Sequence, residues 1–348
     1  MGLYVKLTLM SVASLVAAVG AYIYQKKKEE IVPWSWEEVG KLTKLNLFPL
    51  KSGHRIELTS AECTEFGLRQ IPSNDVNFQL RDRCLVVYGE KDHEFRSART
   101  YPKMVLIDVS VHDNEYLAVD APTMRTLYVK IPSKDQESFI KLHKGEEIYA
   151  IDCGDEAASW FSRYILGKDS GLRLGFHDAS RRRDLSKTYK NLFDYYTNLS
   201  NSAAGLYSDL TAVLLLNQAS VSDLNKRIGT GQVTVDNFRP NVVVEGPNLD
   251  AYVEDDWDWI KIGDVVLRNV QECTKCIMTT IDPENANRSS DREPLKTLEK
   301  YRMSNGPDKS PVMGVNCEVK VGGVIKLGDR IYVPKKAHNH QSNGTVKH

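Results

Sequence analysis

The sequence predicts an α+β protein: two β-barrel-like cores with flanking helices, preceded by one transmembrane helix. Three observations predict it. Short β-rich runs separated by turn residues dominate from Lys41 onward, helical spacing of apolar residues sets in near residue 155, and an uncharged N-terminal run is long enough to cross a bilayer. The 348 residues leave room for two ordinary domains, and 41% hydrophobic content suffices for their cores. Lysine plus arginine equals aspartate plus glutamate at 46 each, so no overall field favours nucleic acid, an acidic substrate or a membrane surface. Six cysteines are too sparse for a disulfide-built scaffold and fit a reducing compartment.

From Leu7 to Tyr24 the run LTLMSVASLVAAVGAYIY carries no charge, with Lys6 before it and Lys26, Lys27 and Lys28 after it. As a helix it rises about 27 Å, close to a bilayer's hydrocarbon thickness. Residues 1–28 are therefore expected to be an uncleaved signal anchor, and the lysine excess beyond it leaves the bulk of the chain in the cytosol. A cleaved signal peptide is the rival, but the apolar core is long and no clean small-x-small site stands after it.

Residues 29–40 read as a linker and 41–168 as a β-rich domain. Its strands are expected at KLNLFPL, HRIELTSAEC, CLVVYG, MVLIDVSVH, EYLAVDA, TLYVKIP and EEIYAIDC, each bounded by turn residues. DEAASWFSRYILG then puts Ala157, Trp160, Phe161 and Tyr164 at helical spacing, with Asp155 and Glu156 in the first turn and Gly167 past the end. The second domain, 169–335, mixes both types. TAVLLLNQASVSDLNKRIG predicts an apolar run and then a helix capped by Ser220 or Ser222. NVVVEG, WIKIGDVVLRNVQ, CIMTTID, CEVKVGG and DRIYVP read as strands, and EPLKTLEKYR as a short helix. The polar tail 336–348 is expected to be disordered.

The sole CxxC, Cys273 and Cys276, admits several readings. Structural zinc needs four ligands, and no second CxxC or HxxxH stands at matching spacing. A redox dithiol should open a helix after a strand, whereas the residues beyond Cys276 are β-branched. The third reading is a single thiolate donor to a metal held largely by a cofactor, and the plain alternative is two ordinary buried cysteines. Elsewhere, NFRPNVVVEG sets Arg239 and Asn241 around a proline before a strand, FPLKSGHR offers Lys51 and Ser52, and QLRDRCLVV offers Arg81 and Arg83. Brought together, these side chains would make an anion cradle.

FPLKS, LRDRCLVV, NFRPNVVVEG, YVEDDWDWIKIGDVVLRNV, CTKCIMTTIDPENA and EPLKTLEKYR occur in the order found in the mitochondrial amidoxime-reducing components, members of the MOSC superfamily of molybdenum-cofactor proteins. The chain resembles that family from about Leu42 to Val333, which makes 41–168 a MOSC N-terminal domain and 169–335 a MOSC domain. The resemblance implies Cys276 as the protein thiolate on molybdenum, with the molybdenum cofactor held by Lys51, Ser52, Arg83, Thr211, Arg239, Asn241, Thr274 and Lys275. It implies removal of oxygen from N-hydroxylated substrates such as amidoximes and hydroxylamines, with electrons from NADH through NADH-cytochrome b5 reductase and cytochrome b5. It also implies an outer mitochondrial membrane location facing the cytosol, although an endoplasmic-reticulum anchor looks alike in sequence.

Asp209, in YSDLTA, is the candidate polar group near the substrate, its alternative a turn aspartate capping a helix beyond it. Three positions depart from the family pattern. CTKC replaces CSRC, so Lys275 stands for an arginine; Leu210 replaces a hydroxyl residue; and Asn316 stands where an aromatic contact is expected. For partner docking, Arg181 to Arg183 complement an acidic cytochrome, and the cluster Glu254, Asp255, Asp256 and Asp258 offers the opposite charge. A membrane-tethered cofactor carrier or sulfur-transfer MOSC module is the alternative to the reductase, and a zinc-stabilised scaffold the third reading.

Overall fold

The computed structural model describes residues 31–335 except Asn74, Thr230 and Gln232. The expected anchor and the expected tail lie outside these residues. Among the described residues no helix is long and apolar enough to cross a membrane.

Seven strands close into a barrel: β1 (Trp36–Leu47), β2 (Val213–Asn217), β3 (Val242–Glu245), β4 (Trp259–Ile262), β5 (Val265–Thr274), β6 (Val312–Val321) and β7 (Arg330–Pro334). Their order is β3-β2-β6-β5-β4-β7-β1, and β1 pairs with β3 to complete the circle. Closure leaves no barrel strand with an unpaired edge. Only β2 and β3 run parallel, with Leu215 opposite Val242. Parallel neighbours need a crossover, and helix α2 (Gln218–Ile228) lies between them in sequence. Inward side chains such as Leu45, Leu215, Val244, Ile260, Leu267 and Val315 are at most 1% exposed. β1, from the first predicted domain, thus runs among six strands from the second.

Around the barrel lie three smaller sheets. Leu85–Gly89, Leu172–Phe176, Glu147–Asp152 and Glu137–Lys141 form a four-stranded antiparallel sheet, Asp108–Val111, Tyr116–Asp120 and Leu127–Lys130 a three-stranded meander, and Gly323–Lys326, Ser60–Thr64 and Gly67–Arg69 the third sheet. Helix α1 (Asp155–Leu166) buries Trp160, Phe161 and Tyr164 and ends on Gly167 at φ 68°, the left-handed C-cap that a glycine allows. The predicted helix therefore stands with its predicted ends.

Two local expectations are corrected. The cap of α2 is Asn217, whose side chain accepts from the Ala219 amide, while Ser220 is buried against Glu254 and Ser222 bonds back to Gln218. CIMTTID is no strand: Ile277–Thr280 is a 3-10 turn. Thr279 and Thr280 donate their hydroxyls to the carbonyls of Cys276 and Ile277, three residues back, and this local bonding overrides β-propensity.

Both charged clusters offered for docking are largely spent within the fold. Arg183 is buried in a two-fold contact with Glu146 at 2.6 and 3.0 Å. Arg181 pairs with Glu137 and Arg182 with Glu65. Glu254 is 0% exposed, and Asp255 pairs with Arg302 at 2.6 Å.

Candidate functional site

The long antiparallel β5–β6 ladder slips register three times, the last between Glu272 and Thr274. Such bulges turn a strand out of its ladder. Thr274 still pairs with Val312 and the Lys275 amide with the Pro311 carbonyl at 2.7 Å, after which Cys276 leaves the sheet and opens the 3-10 turn. Its side chain is exposed into a cavity of about 430 Å³.

Four loops bring the other predicted residues to the same cavity. Lys51 and Ser52 come after β1; Arg83 precedes Leu85–Gly89; Arg239 and Asn241 precede β3. Thr211 and Asp209 come from the turn before β2, where Gly205 leaves room for the backbone: a Cβ there would lie 2.9 Å from the Thr211 carbonyl oxygen and 2.2 Å from Ser208 Oγ. Lys51, Ser52, Arg83, Thr211, Arg239 and Asn241 all line the cavity. So do Thr274, Lys275, Cys276 and Asp209. Ser52, Arg83 and Arg239 hold φ values of 70°, 47° and 57°, left-handed backbone that non-glycine residues adopt at a cost. Such outliers gather at sites where the surroundings fix them for a purpose.

Arg83 and Arg239 flank Phe48, with guanidinium carbons 4.4 and 4.2 Å from its ring centre. Arg83 is paired: Nη1 donates to Asp82 at 2.5 Å and to Asn241 Oδ1 at 3.2 Å. Arg239 differs. Its Nη2 is buried without a hydrogen-bond partner, and burial together with the neighbouring Arg83 works against its charge. A buried unpaired donor is a costly arrangement, and an anion in the cavity would relieve it. Asn241 spends its amide within the protein, Nδ2 on Asn46 O and Asp82, Oδ1 on Arg83 and the Leu214 amide. Its place is behind Arg83, which it orients.

Lys51 is buried, and its ammonium donates to Tyr207 O at 2.9 Å and to Asp209 Oδ1. Burial lowers the Lys51 pKa and Asp209 opposes that shift. Asp209 is itself partly withdrawn from bulk water, which works to raise its pKa, yet Lys51 and His143 hold it well below the usual carboxylate range. Its side chain is 72% accessible because it projects into the cavity. Burial of its surroundings pushes the Cys276 thiol up, so the free side chain is a thiol at neutral pH, and a bound metal would deprotonate it. Both cysteines line the cavity but differ there: Cys273 is half-buried with Lys275 Nζ 3.0 Å from its Sγ, while Cys276 is exposed. Among the departing positions, Leu210 is packed in an apolar cluster, and Asn316 accepts from Thr211 Oγ1 at 3.2 Å.

Among the described residues no group of three or more His, Cys, Asp or Glu side chains converges to hold a metal ion. One protruding sulfur amid buried cations, one of them with an unused donor, fits an anionic cofactor that brings most of its own metal ligands. Sequence reasoning missed the outer wall, which includes Arg99, His143, Lys144, Tyr189 and Asp308. These residues lie on loops without motif spacing; the one local sign is the left-handed turn at Lys144.

The barrel and its cavity define a MOSC-domain protein: the family model for the MOSC domain matches residues 204–332, and that for the MOSC N-terminal beta barrel domain matches 39–168. Mitochondrial amidoxime reducing component 2 of Rattus norvegicus is 34% identical over 303 residues, covering 85% of this chain and 84% of that protein. Component 1 of Homo sapiens is 33% identical over 304 residues with the same coverage, and component 1 of Danio rerio 31% over 333 residues, 94% of each chain. The chain belongs to the family of mitochondrial amidoxime-reducing components.

Proposed function

We propose that this protein is a molybdenum-cofactor-dependent reductase of N-hydroxylated compounds, amidoximes and hydroxylamines among them. The observation that supports it most is the convergence on one cavity of ten side chains that carry an accessible thiol, buried cations and a carboxylate. Arg239, Arg83 and Lys275 would hold the cofactor's anionic groups, with Lys51, Ser52, Thr211 and Thr274 completing the polar wall. Asn241 would keep Arg83 in place, and Cys276 would supply the protein's thiolate. When bound, the cofactor supplies two-electron redox chemistry at molybdenum and an open position for the substrate oxygen. The overall change converts N–OH to N–H and water with two electrons and two protons. Asp209, ionised and open to the cavity, accepts hydrogen bonds from the substrate's N–OH or amino group and orients it.

Electrons would come from NADH by way of NADH-cytochrome b5 reductase and cytochrome b5. The names of its relatives point to a mitochondrial location. With the charge-free run Leu7 to Tyr24 as an anchor, the catalytic part would face the cytosol from the outer membrane. We also propose the division at residue 168 as the boundary between N-terminal and MOSC domains.

Metal analysis and turnover test this together. The purified chain should carry about one molybdenum and reduce benzamidoxime when reconstituted with the cytochrome and its reductase. Cys276→Ser should abolish reduction with the fold intact, and Cys273→Ser should be milder. Equal activity in the two variants would remove the thiolate assignment, and bound molybdopterin without turnover would favour a carrier.

A further inference from the structure

Asp209 is held from two sides. Both of its contacts fall on Oδ1: the Lys51 ammonium, and His143 Nε2 at 3.1 Å. His143 lies in the short 3-10 turn His143–Gly145, 66 residues away in sequence, and lines the same cavity. Its ring meets Phe95 edge to face at 4.5 Å, which fixes its plane. Arg99 Nη2 lies 3.0 Å from both ring nitrogens. The neighbouring Lys144 reaches over the Tyr189 ring, 5.0 Å from its centre.

The charges decide where the imidazole hydrogen sits. An ionised carboxylate only accepts, so Nε2 must donate to Asp209. In the neutral ring the other nitrogen, Nδ1, then keeps a free lone pair, and the Arg99 guanidinium, which only donates and stands equally near both nitrogens, meets no second N–H. We propose that His143 is a positioning residue of this site: Arg99 fixes it as the neutral Nε2–H tautomer, and in that form it anchors Asp209 Oδ1. The other carboxylate oxygen, Oδ2, is then presented to the cavity as the acceptor for the substrate's N–OH or amino hydrogen. His143 transfers no proton in this arrangement. It keeps Asp209 aimed, as an outer partner orients a ligating or reacting group.

The functional half of this inference rests on the reductase reading; the tautomer does not. Nitrogen-15 histidine spectra of the full-length chain without cofactor, with the His143 signal assigned by its loss in His143→Gln, should show the Nε2–H tautomer at pH 7.5. Arg99→Gln should shift that signal toward the Nδ1–H form or the doubly protonated ring. An Nδ1–H or doubly protonated ring in the unaltered protein, or a signal indifferent to Arg99, would overturn the proposal. In the loaded protein, His143→Ala should lower kcat about ten-fold with molybdenum content unchanged, the size typical for loss of an orienting partner. His143→Gln, whose amide can donate from nearly the same place, should recover most of it. Full activity in His143→Ala would also overturn the proposal. If the unaltered protein turns over no N-hydroxylated compound, the reductase reading fails while the spectra still decide the tautomer.

Discussion

Arg239 carries a charge that the fold removes from water and leaves with one unpaired donor. In the absence of an anion that is a liability, and with one it is an anchor. Arg239→Met should therefore raise the melting temperature of the cofactor-free chain, by about 1 kcal/mol of stability, while abolishing cofactor retention. Calorimetry beside metal analysis reads both; a cofactor-free variant that melts lower would argue against the orphaned charge. Cys276 gives a second residue-scale expectation. Its thiol pKa is raised, so alkylation of the cofactor-free chain should accelerate only above the ordinary thiol range, while the buried Cys63, Cys84 and Cys317 stay unreactive. Peptide mapping after a brief iodoacetamide pulse across pH separates these sites. At this scale the sequence was informative: CTKC, NFRP and FPLKS supply the thiol, the cations and the hydroxyl that the structure brings to one cavity. What it left open was capacity. Asn241 was expected to touch the cofactor, and only its four internal hydrogen bonds show that it is committed to Arg83 and the chain around it.

Between residue and molecule stand the segments that aim these groups. The turn carrying Tyr207, Ser208 and Asp209 is gripped by two buried cations: Lys51 holds the Tyr207 carbonyl, and Arg183 Nη1 those of Leu206 and Ser208 at 3.3 and 2.6 Å. Glu146 neutralises Arg183. Removing one member leaves the other buried and unpaired, so Glu146→Ala should cost about 3–5 kcal/mol. Denaturant titration should show it, and a loss below 1 kcal/mol would mean that water replaces the partner. The α2 cap is a smaller matter: Asn217→Ala removes the hydrogen bond to the Ala219 amide and the one that Nδ2 donates to the Asp250 carbonyl, and should cost about 2 kcal/mol. Helix α1 was legible to the residue because acidic first turn, apolar stripe and terminal glycine all agree. The segment after Cys276 was misread because its threonines satisfy backbone carbonyls locally, and composition does not reveal which hydrogen bond wins.

For the whole molecule, β1 is the strand that closes the barrel, and Asp82 ties it to the site by accepting from the Phe48 amide and from Asn241. Stability should also depend on pH through Glu254, a fully buried carboxyl pushed up to about 7 by burial, with Ser220 and the Asn217 amide opposing that shift. A raised folded pKa means that the folded chain holds the proton the unfolded chain releases. The contribution is full below about pH 4.5, declines as pH rises and is gone above about 7. Glu254→Gln should flatten that slope, as melting temperatures from pH 5 to 8 would show. The sequence by itself determined the mainly β character, helix α1, the thiol, the cations and the family they mark, because local periodicity and side-chain chemistry are written along the chain. Only the tertiary structure decided that these groups face one cavity, that Arg183 and Glu254 are interior rather than docking charges, and that His143 stands beside Asp209 with Arg99 beside His143. Those facts depend on long-range strand closure and on which charges the core buries, and neither leaves a local pattern to read.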